Sequence, residues 1–288
     1  MNITQKQVNL TGTKVYDNNT TLNNSIISVA SGLIGSETLG LSGDVVTNSS
    51  NVGTYLASAN QLNSGSTNIA LTNGSNGGLS NNYTISEGTY SITQRPVTIL
   101  GTKVYDGAQT VSAANITTFN NTAGGQTLTV SGNTSFLESQ SVGSGKTINV
   151  TGLTLGNGTG AASNYSLSSG TFNVTARPVT LTTNRLFDNT KNVDATNLSV
   201  TFNNLVGSET LSLSRLGAVS SENVASGQQS VTLGTLSLAD NSGVASNYSL
   251  TSATLDINAK PVSLSGSKVY DASATASSST CLLYTSPS

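Results

Sequence analysis

The chain has 288 residues, enough by length alone for two or three domains. Charged residues make up 8% of it, against about 25% in an ordinary globular protein, and a net charge of −2 without a basic cluster excludes the electrostatic footprint of a nucleic-acid binder. There is no histidine and a single cysteine, Cys281, which excludes an internal disulfide, a Cys/His metal site and a Ser-His-Asp triad.

Apolar and β-branched residues alternate with period two against a background of Asn, Ser, Thr and Gly. Ala, Leu, Glu, Lys and Arg never gather at helical spacing, so the chain is predicted to be all-β. No run of 18 apolar residues predicts a membrane span, and "MNITQKQVNLTGTK" has no hydrophobic h-region of a signal peptide.

Read from the N-terminus, three landmarks return in fixed order. An aromatic–acid pair appears as Tyr16-Asp17, Tyr105-Asp106, Phe187-Asp188 and Tyr270-Asp271. An Asn-Tyr pair appears as Asn82-Tyr83, Asn164-Tyr165 and Asn247-Tyr248. A basic residue, proline and valine appear as Arg95-Pro96-Val97, Arg177-Pro178-Val179 and Lys260-Pro261-Val262. The second and third landmarks recur after 82 and then 83 residues. A weaker fourth reads "GSETLGLSG" at 35–43, "GGQTLTVSG" at 124–132 and "GSETLSLSR" at 207–215.

These landmarks divide the chain into repeats at 8–94, 95–176 and 177–259, a truncated fourth at 260–280, and a tail at 281–288 read as non-native. The first repeat is longer: Val52 to Tyr83 is 31 residues, against 23 from Val142 to Tyr165 and 24 from Val224 to Tyr248. About eight extra residues there read as a longer surface loop.

In the second repeat, Val97 and Ile99 predict a first strand with Val104-Tyr105 following it. Strands follow at Leu128/Val130, Ile148/Val150 and Leu153/Leu155. Tyr165/Leu167 and Phe172/Val174, separated by "SSGT", read as a closing hairpin, repeated at Tyr83/Ile85/Tyr90/Ile92 and Tyr248/Leu250/Leu255/Ile257. One helix candidate stands out, "TVSAANITTF" at 110–119, weakened by its β-branched residues. Six or seven short strands per repeat suggest a tandem array of small Ig-like β-sandwiches; a β-grasp-like sheet with one short helix is the alternative. Pro96, Pro178 and Pro261 mark the first strands, because proline cannot donate to a ladder. With almost no residues to spare at these junctions, the array reads as a stiff, elongated rod.

Asp17, Asp106, Asp188 and Asp271 are candidate calcium or acid–base carboxylates, but calcium needs six to eight oxygens and each repeat offers few acids. The competing reading is a turn in which Asp bonds backbone N–H groups and the next residue accepts φ > 0. Asn18, Gly107 and Asn189 suit that position, and Ala272 suits it poorly. Phe187 lacks the hydroxyl of Tyr16, Tyr105 and Tyr270, so the shared property is an aromatic body filling a core or corner. Tyr83, Tyr165 and Tyr248 keep the hydroxyl and suit a corner tyrosine bonded to the backbone. Arg95, Arg177 and Lys260 read as charges at exposed junctions that discourage edge pairing. The Gly-rich stretches lack the lysine and helix start of a phosphate loop. No catalytic residue, metal ligand or cofactor-binding residue emerges.

The ordered pattern "RPVTILGTKVYDG…GGQTLTVSG…ASNYSLSSGTFNVTARPV" resembles the YDG-type repeat, related to MBG repeats, over residues 8 to about 275. Such repeats occur in tandem in large bacterial surface and secreted proteins, many of them similar to filamentous-haemagglutinin-type adhesins. The resemblance implies a stalk or adhesin module without catalysis, at the bacterial surface or outside the cell, whose partners are neighbouring repeats and in an alternative reading a host glycan or surface protein. A further alternative is an accessory region of a secreted glycosidase, which needs paired inward carboxylates. Asn18, Asn189 and Ala272 depart from the motif's glycine, and Phe187 from its tyrosine.

Overall fold

The computed structural model describes residues 2–58, 68–136, 138–224, 227–275 and 281–285. The chain divides into two compact units. One comprises Met1–Lys103, Gln109–Ser139 and Ser144–Asn173; the other comprises Val104–Ala108, Gln140–Gly143 and Val174–Ser288.

The first repeat contains β1 (Lys6–Val15), β2 (Thr21–Asn23), β3 (Ile27–Ser31), β4 (Leu39–Ser42), β5 (Asp44–Val46), β6 (Gly53–Ser58), β7 (Ala70–Asn73) and β8 (Tyr83–Thr93). The second contains β9 (Arg95–Val104), β10 (Thr110–Ser112), β11 (Ile116–Asn120), β12 (Leu128–Ser135), β13 (Gly143–Thr147), β14 (Leu153–Asn157) and β15 (Tyr165–Thr175). The third contains β16 (Arg177–Leu186), β17 (Asn192–Asp194), β18 (Ser199–Asn203), β19 (Ser212–Ser214), β20 (Leu216–Ala218), β21 (Gln229–Ser230), β22 (Ser237–Ala239) and β23 (Tyr248–Asn258). Beyond it, β24 (Val262–Gly266) pairs antiparallel with β25 (Cys281–Thr285). The fold is all-β, and its helical turns are short 3-10 turns. Among the described residues no helix is long and apolar enough to cross a membrane.

Each repeat builds a four-stranded sheet with its first and last strands side by side in the centre: β3-β1-β8-β6, β11-β9-β15-β13 and β18-β16-β23-β21. β1 runs parallel to β8, and β16 parallel to β23, while the flanking strands are antiparallel. A parallel pair requires a long crossover, and the remaining strands of the repeat supply it. The expectation of small antiparallel Ig-like sheets does not include this parallel central pair. The crossover strands form smaller antiparallel pairs, β2–β5 with β4–β7, and β17–β20 with β19–β22. In the second repeat β12 passes through Gly132 and pairs with both β10 and β14. The equivalent break falls at Gly43 and Arg215, and all three residues have positive φ.

Two sequence expectations are corrected. The helix candidate at 110–119 lies within β10, a 3-10 turn and β11, as its β-branched residues favour. The closing "hairpin" is one continuous strand in every repeat: β8, β15 and β23. What reads as a turn is a β-bulge, since the register slips one residue between Val8 and Asn9 and again between Val179 and Thr180. The residue left over turns its hydroxyl to the neighbouring strand: Thr251 Oγ1 donates to Val179 O at 3.0 Å, and Ser168 Oγ to Val97 O at 3.0 Å. Gly170 is there for space, because a Cβ would lie 2.7 Å from Ile99 Cγ1.

Each core follows from the alternation. In β1, Val8, Leu10, Gly12 and Lys14 face inward. Val8 and Leu10 join Leu22, Val45, Ile69, Ile85 and Tyr90 in the first repeat's cluster. Leu181, Val193, Val219, Leu236 and Leu255 anchor the third. Another cluster joins residues from two repeats: Tyr16 and Ile92 from the first with Val97, Ala123, Leu128 and Tyr165 from the second. One residue, Gln94, separates β8 from β9, and one, Ala176, separates β15 from β16. Residues 59–67, which take part of the extra length of the first repeat, and residues 286–288 of the tail lie outside the described residues.

Candidate functional site

The aromatic–acid corner begins with a residue that the sequence reading passed over. Two positions before each aromatic stands a basic side chain: Lys14, Lys103, Arg185 or Lys268. Strand alternation turns the first three inward, each at most 9% exposed, and turns Val15, Val104 and Leu186 outward. Lys14 Nζ donates to Asp17 Oδ1 at 2.7 Å, Asn19 O at 2.5 Å and Thr21 O at 3.0 Å. Lys103 Nζ donates to Thr110 O at 2.8 Å. Arg185 donates to Thr190 O and Asn192 O and pairs with Asp188 at 3.2 Å. Lys268 Nζ reaches Asp271 Oδ1 at 2.7 Å, Ser273 O at 2.8 Å and Thr275 O at 2.7 Å. A buried cation needs such partners, and loop carbonyls with one carboxylate provide them.

The acid closes the turn. Asp17, Asp106, Asp188 and Asp271 each accept the backbone N–H two residues on, at 2.9–3.1 Å. The intervening residues all have positive φ: Asn18 (64°), Gly107 (73°), Asn189 (59°) and also Ala272 (60°), despite its Cβ.

Within the first unit the corner aromatic Tyr16 sits edge-on to Tyr165, with ring centroids 5.3 Å apart and planes at 79°. Within the second unit Tyr105 sits on Tyr248 in the same way, at 5.4 Å and 79°. Such pairs add about 0.5–1.5 kcal/mol beyond area burial. Both hydroxyls of a pair converge on one side chain of the fourth landmark. Tyr165 Oη donates to Gln126 Oε1 at 2.5 Å, and Tyr16 Oη lies 3.2 Å from the same oxygen. Tyr105 and Tyr248 donate to the two oxygens of Glu209 at 2.8 and 2.6 Å. The Asn-Tyr tyrosine also accepts a backbone N–H: Ala123 to Tyr165 and Val206 to Tyr248, each at 3.1 Å. Burial and, second, the hydrogen bond to Glu209 push the Tyr248 phenol up to about 12 and raise Tyr105 in the same direction. Both phenols therefore stay protonated donors.

The neighbouring asparagine and arginine complete the seat. Asn164 Oδ1 accepts Val52 N–H at 2.8 Å, and Asn247 Oδ1 accepts Val142 N–H at 2.9 Å. Arg95 and Arg177 are half-buried clamps rather than exposed edge charges. Arg95 Nη1 donates to Tyr16 O at 3.2 Å, and its Nε and Nη2 grip Asn121 at 2.6 and 2.7 Å. Arg177 does the same with Tyr105 O at 3.4 Å and with Asn204 at 2.7 Å. The fork geometry of guanidinium gives these charges a positioning role. Pro96 and Pro178 are the second residues of β9 and β16; each lends its carbonyl to that asparagine. Pro261 stands just before β24, Tyr83 is buried at the end of the first repeat, and Phe187 packs against the third repeat's core. Tyr270, on the described part of the fourth repeat, is 90% exposed.

Corner and seat also match in size. A Cβ on Gly107 would lie 2.7 Å from Val206 Cγ1. Where the corner carries Asn18 instead, the residue at the valine's position is Ala123. Among the described residues no group of His, Cys, Asp or Glu is placed to hold a metal ion.

Compared with known families, the chain matches the YDG domain twice in tandem, over residues 89–172 and 173–255, more than half its length. Each match starts inside the strand that closes the preceding repeat, β8 or β15. No curated protein and no solved structure matches the chain.

Proposed function

We propose, since this chain belongs to the YDG domain family, that its repeats are non-catalytic spacers of a bacterial cell-surface or secreted adhesin, joined end to end into a stiff stalk. The carrying observation is that the signature residues are consumed in structure. Tyr16, Tyr105, Tyr165 and Tyr248 are at most 5% exposed, which leaves their rings poor platforms for a glycan or a host protein. Asp17, Asp106 and Asp188 are engaged in turns, an argument against the accessory-glycosidase reading. One-residue connectors and ring pairs seated on buried asparagines support stiffness over flexible tethering. Small-angle scattering of the whole chain tests the reading. A pair-distance distribution with a long tail is expected; a symmetric, compact distribution would refute the stalk.

A further inference from the structure

The first repeat carries the same seat, and its contents predict what fills it. Ile34 N–H donates to Tyr83 Oη at 3.2 Å, and Tyr83 donates to Glu37. Ile34, Glu37, Asn82 and Tyr83 thus hold the positions of Val206, Glu209, Asn247 and Tyr248. Asn164 and Asn247 are 1% and 2% exposed beneath their corners, whereas Asn82 is exposed. Ile34 is 56% exposed, whereas Ala123 is buried at 4%. Among the described residues no ring lies edge-on to Tyr83 as Tyr16 does to Tyr165. A concavity of about 410 Å³ opens instead, lined by Thr4, Lys6, Ile34, Glu37, Asn82 and Tyr83 among others.

We propose that this face is a docking socket for the Tyr-Asp-Gly corner of a further repeat of the same kind. The occupant is set residue by residue. Glu37 accepts one phenol, and its counterpart Glu209 accepts two, so the incoming aromatic is a tyrosine. Ile34 is bulkier than Val206, which already forbids a Cβ after the acid, so that residue is glycine. Val52 gives its backbone N–H to Asn164 Oδ1 and Val142 gives its own to Asn247 Oδ1, so Asn82 Oδ1 is the acceptor for the same loop of the incoming repeat. Of the corners in this chain, Tyr105-Asp106-Gly107 fits; Tyr16-Asp17-Asn18 carries a side chain too many, and Phe187-Asp188-Asn189 also lacks the phenol. The proposal stands whether or not the array serves as a spacer, because it depends only on local complementarity.

The test is a chain in which a second copy of residues 95–176 replaces residues 1–5 and joins directly to Lys6, the position equivalent to Arg177. Amide hydrogen exchange is read at Val142 of the added copy, with Val224 of the same molecule, 50% exposed, as the unseated reference. The added Val142 is expected to exchange at least about tenfold more slowly, the worth of one hydrogen bond. Asn82→Ala and, in the added copy, Gly107→Asn should each abolish that protection while the other repeats keep theirs. An added repeat that stays unfolded, a Val142 amide as fast as Val224, or protection indifferent to Asn82→Ala would overturn the socket. Full protection with Gly107→Asn would overturn the glycine requirement. None of these outcomes depends on the particle's length, so scattering and exchange can fail separately.

Discussion

Tyr90 carries a hydroxyl that its equivalents do without, for the same place in β15 and β23 holds Phe172 and Leu255. Its Oη is buried without a hydrogen-bond partner, and burial pushes its phenol up to about 12. Tyr90→Phe should therefore stabilise the protein by about 1 kcal/mol, seen as a raised urea midpoint, because an orphaned polar atom is removed at constant shape. The phenols also set an alkaline limit. An unfolded tyrosine loses its proton near pH 10, whereas Tyr90 and Tyr248 hold theirs to about 12. Below pH 10 the native and unfolded states bind these protons equally; between 10 and 12 the native state binds more, so stability falls as pH rises. Urea midpoints from pH 8 to 12 should show that decline, with Tyr90→Phe and Tyr248→Phe each making it shallower. The same scale shows what a single sequence hides. Tyr and Asp attract attention by their chemistry, yet the residue that fastens the corner is the basic one two places before the aromatic. Its recurrence as Lys14, Lys103, Arg185 and Lys268 is visible in the sequence, but a basic residue in a strand ordinarily reads as solvated.

At the scale of elements, the pairing of corner and seat makes a quantitative claim. Gly107→Asn alone should cost about 1–3 kcal/mol, because its Cβ meets Val206, and Val206→Ala alone should cost about 1–2 kcal/mol in lost packing. Together they recreate the Asn18–Ala123 combination, so a double-mutant cycle followed by thermal unfolding should recover about 1–2 kcal/mol. Simple additivity would show that the size match is incidental. Strand existence was legible from period two, whereas strand continuity was not. "SSGT" at 168–171 contains the residues of a turn, and a glycine that clears room for Ile99 looks identical in sequence to one that reverses the chain. Likewise Arg95 beside proline has the look of an exposed junction; its guanidinium finds Tyr16 O, 79 positions earlier, only because the intervening chain brings that carbonyl back.

At the scale of the whole molecule, periodicity was the most legible property, since similar landmarks recurring every 82–89 residues require no knowledge of packing. Which strands lie side by side was not legible, because pairing the first strand with the last is a contact of long sequence separation that alternation does not encode. That adjacency has a consequence for a chain held at both ends. Since β1 and β8 are parallel neighbours, the start of one and the end of the other lie at opposite ends of the ladder that runs from Lys6–Tyr83 to Val15–Thr93. Tension along the polypeptide would drag the two strands past each other lengthwise, loading all those rungs at once, whereas an antiparallel hairpin pulled at its open end unzips one rung at a time. The third repeat has the same arrangement, from Arg177–Tyr248 to Leu186–Asn258. Single-molecule stretching should accordingly give abrupt, high-force ruptures, each releasing about one repeat of contour length, in place of a low, gradual yield. The first and third repeats are each closed by a shear clamp whose two halves are the points where the chain enters and leaves.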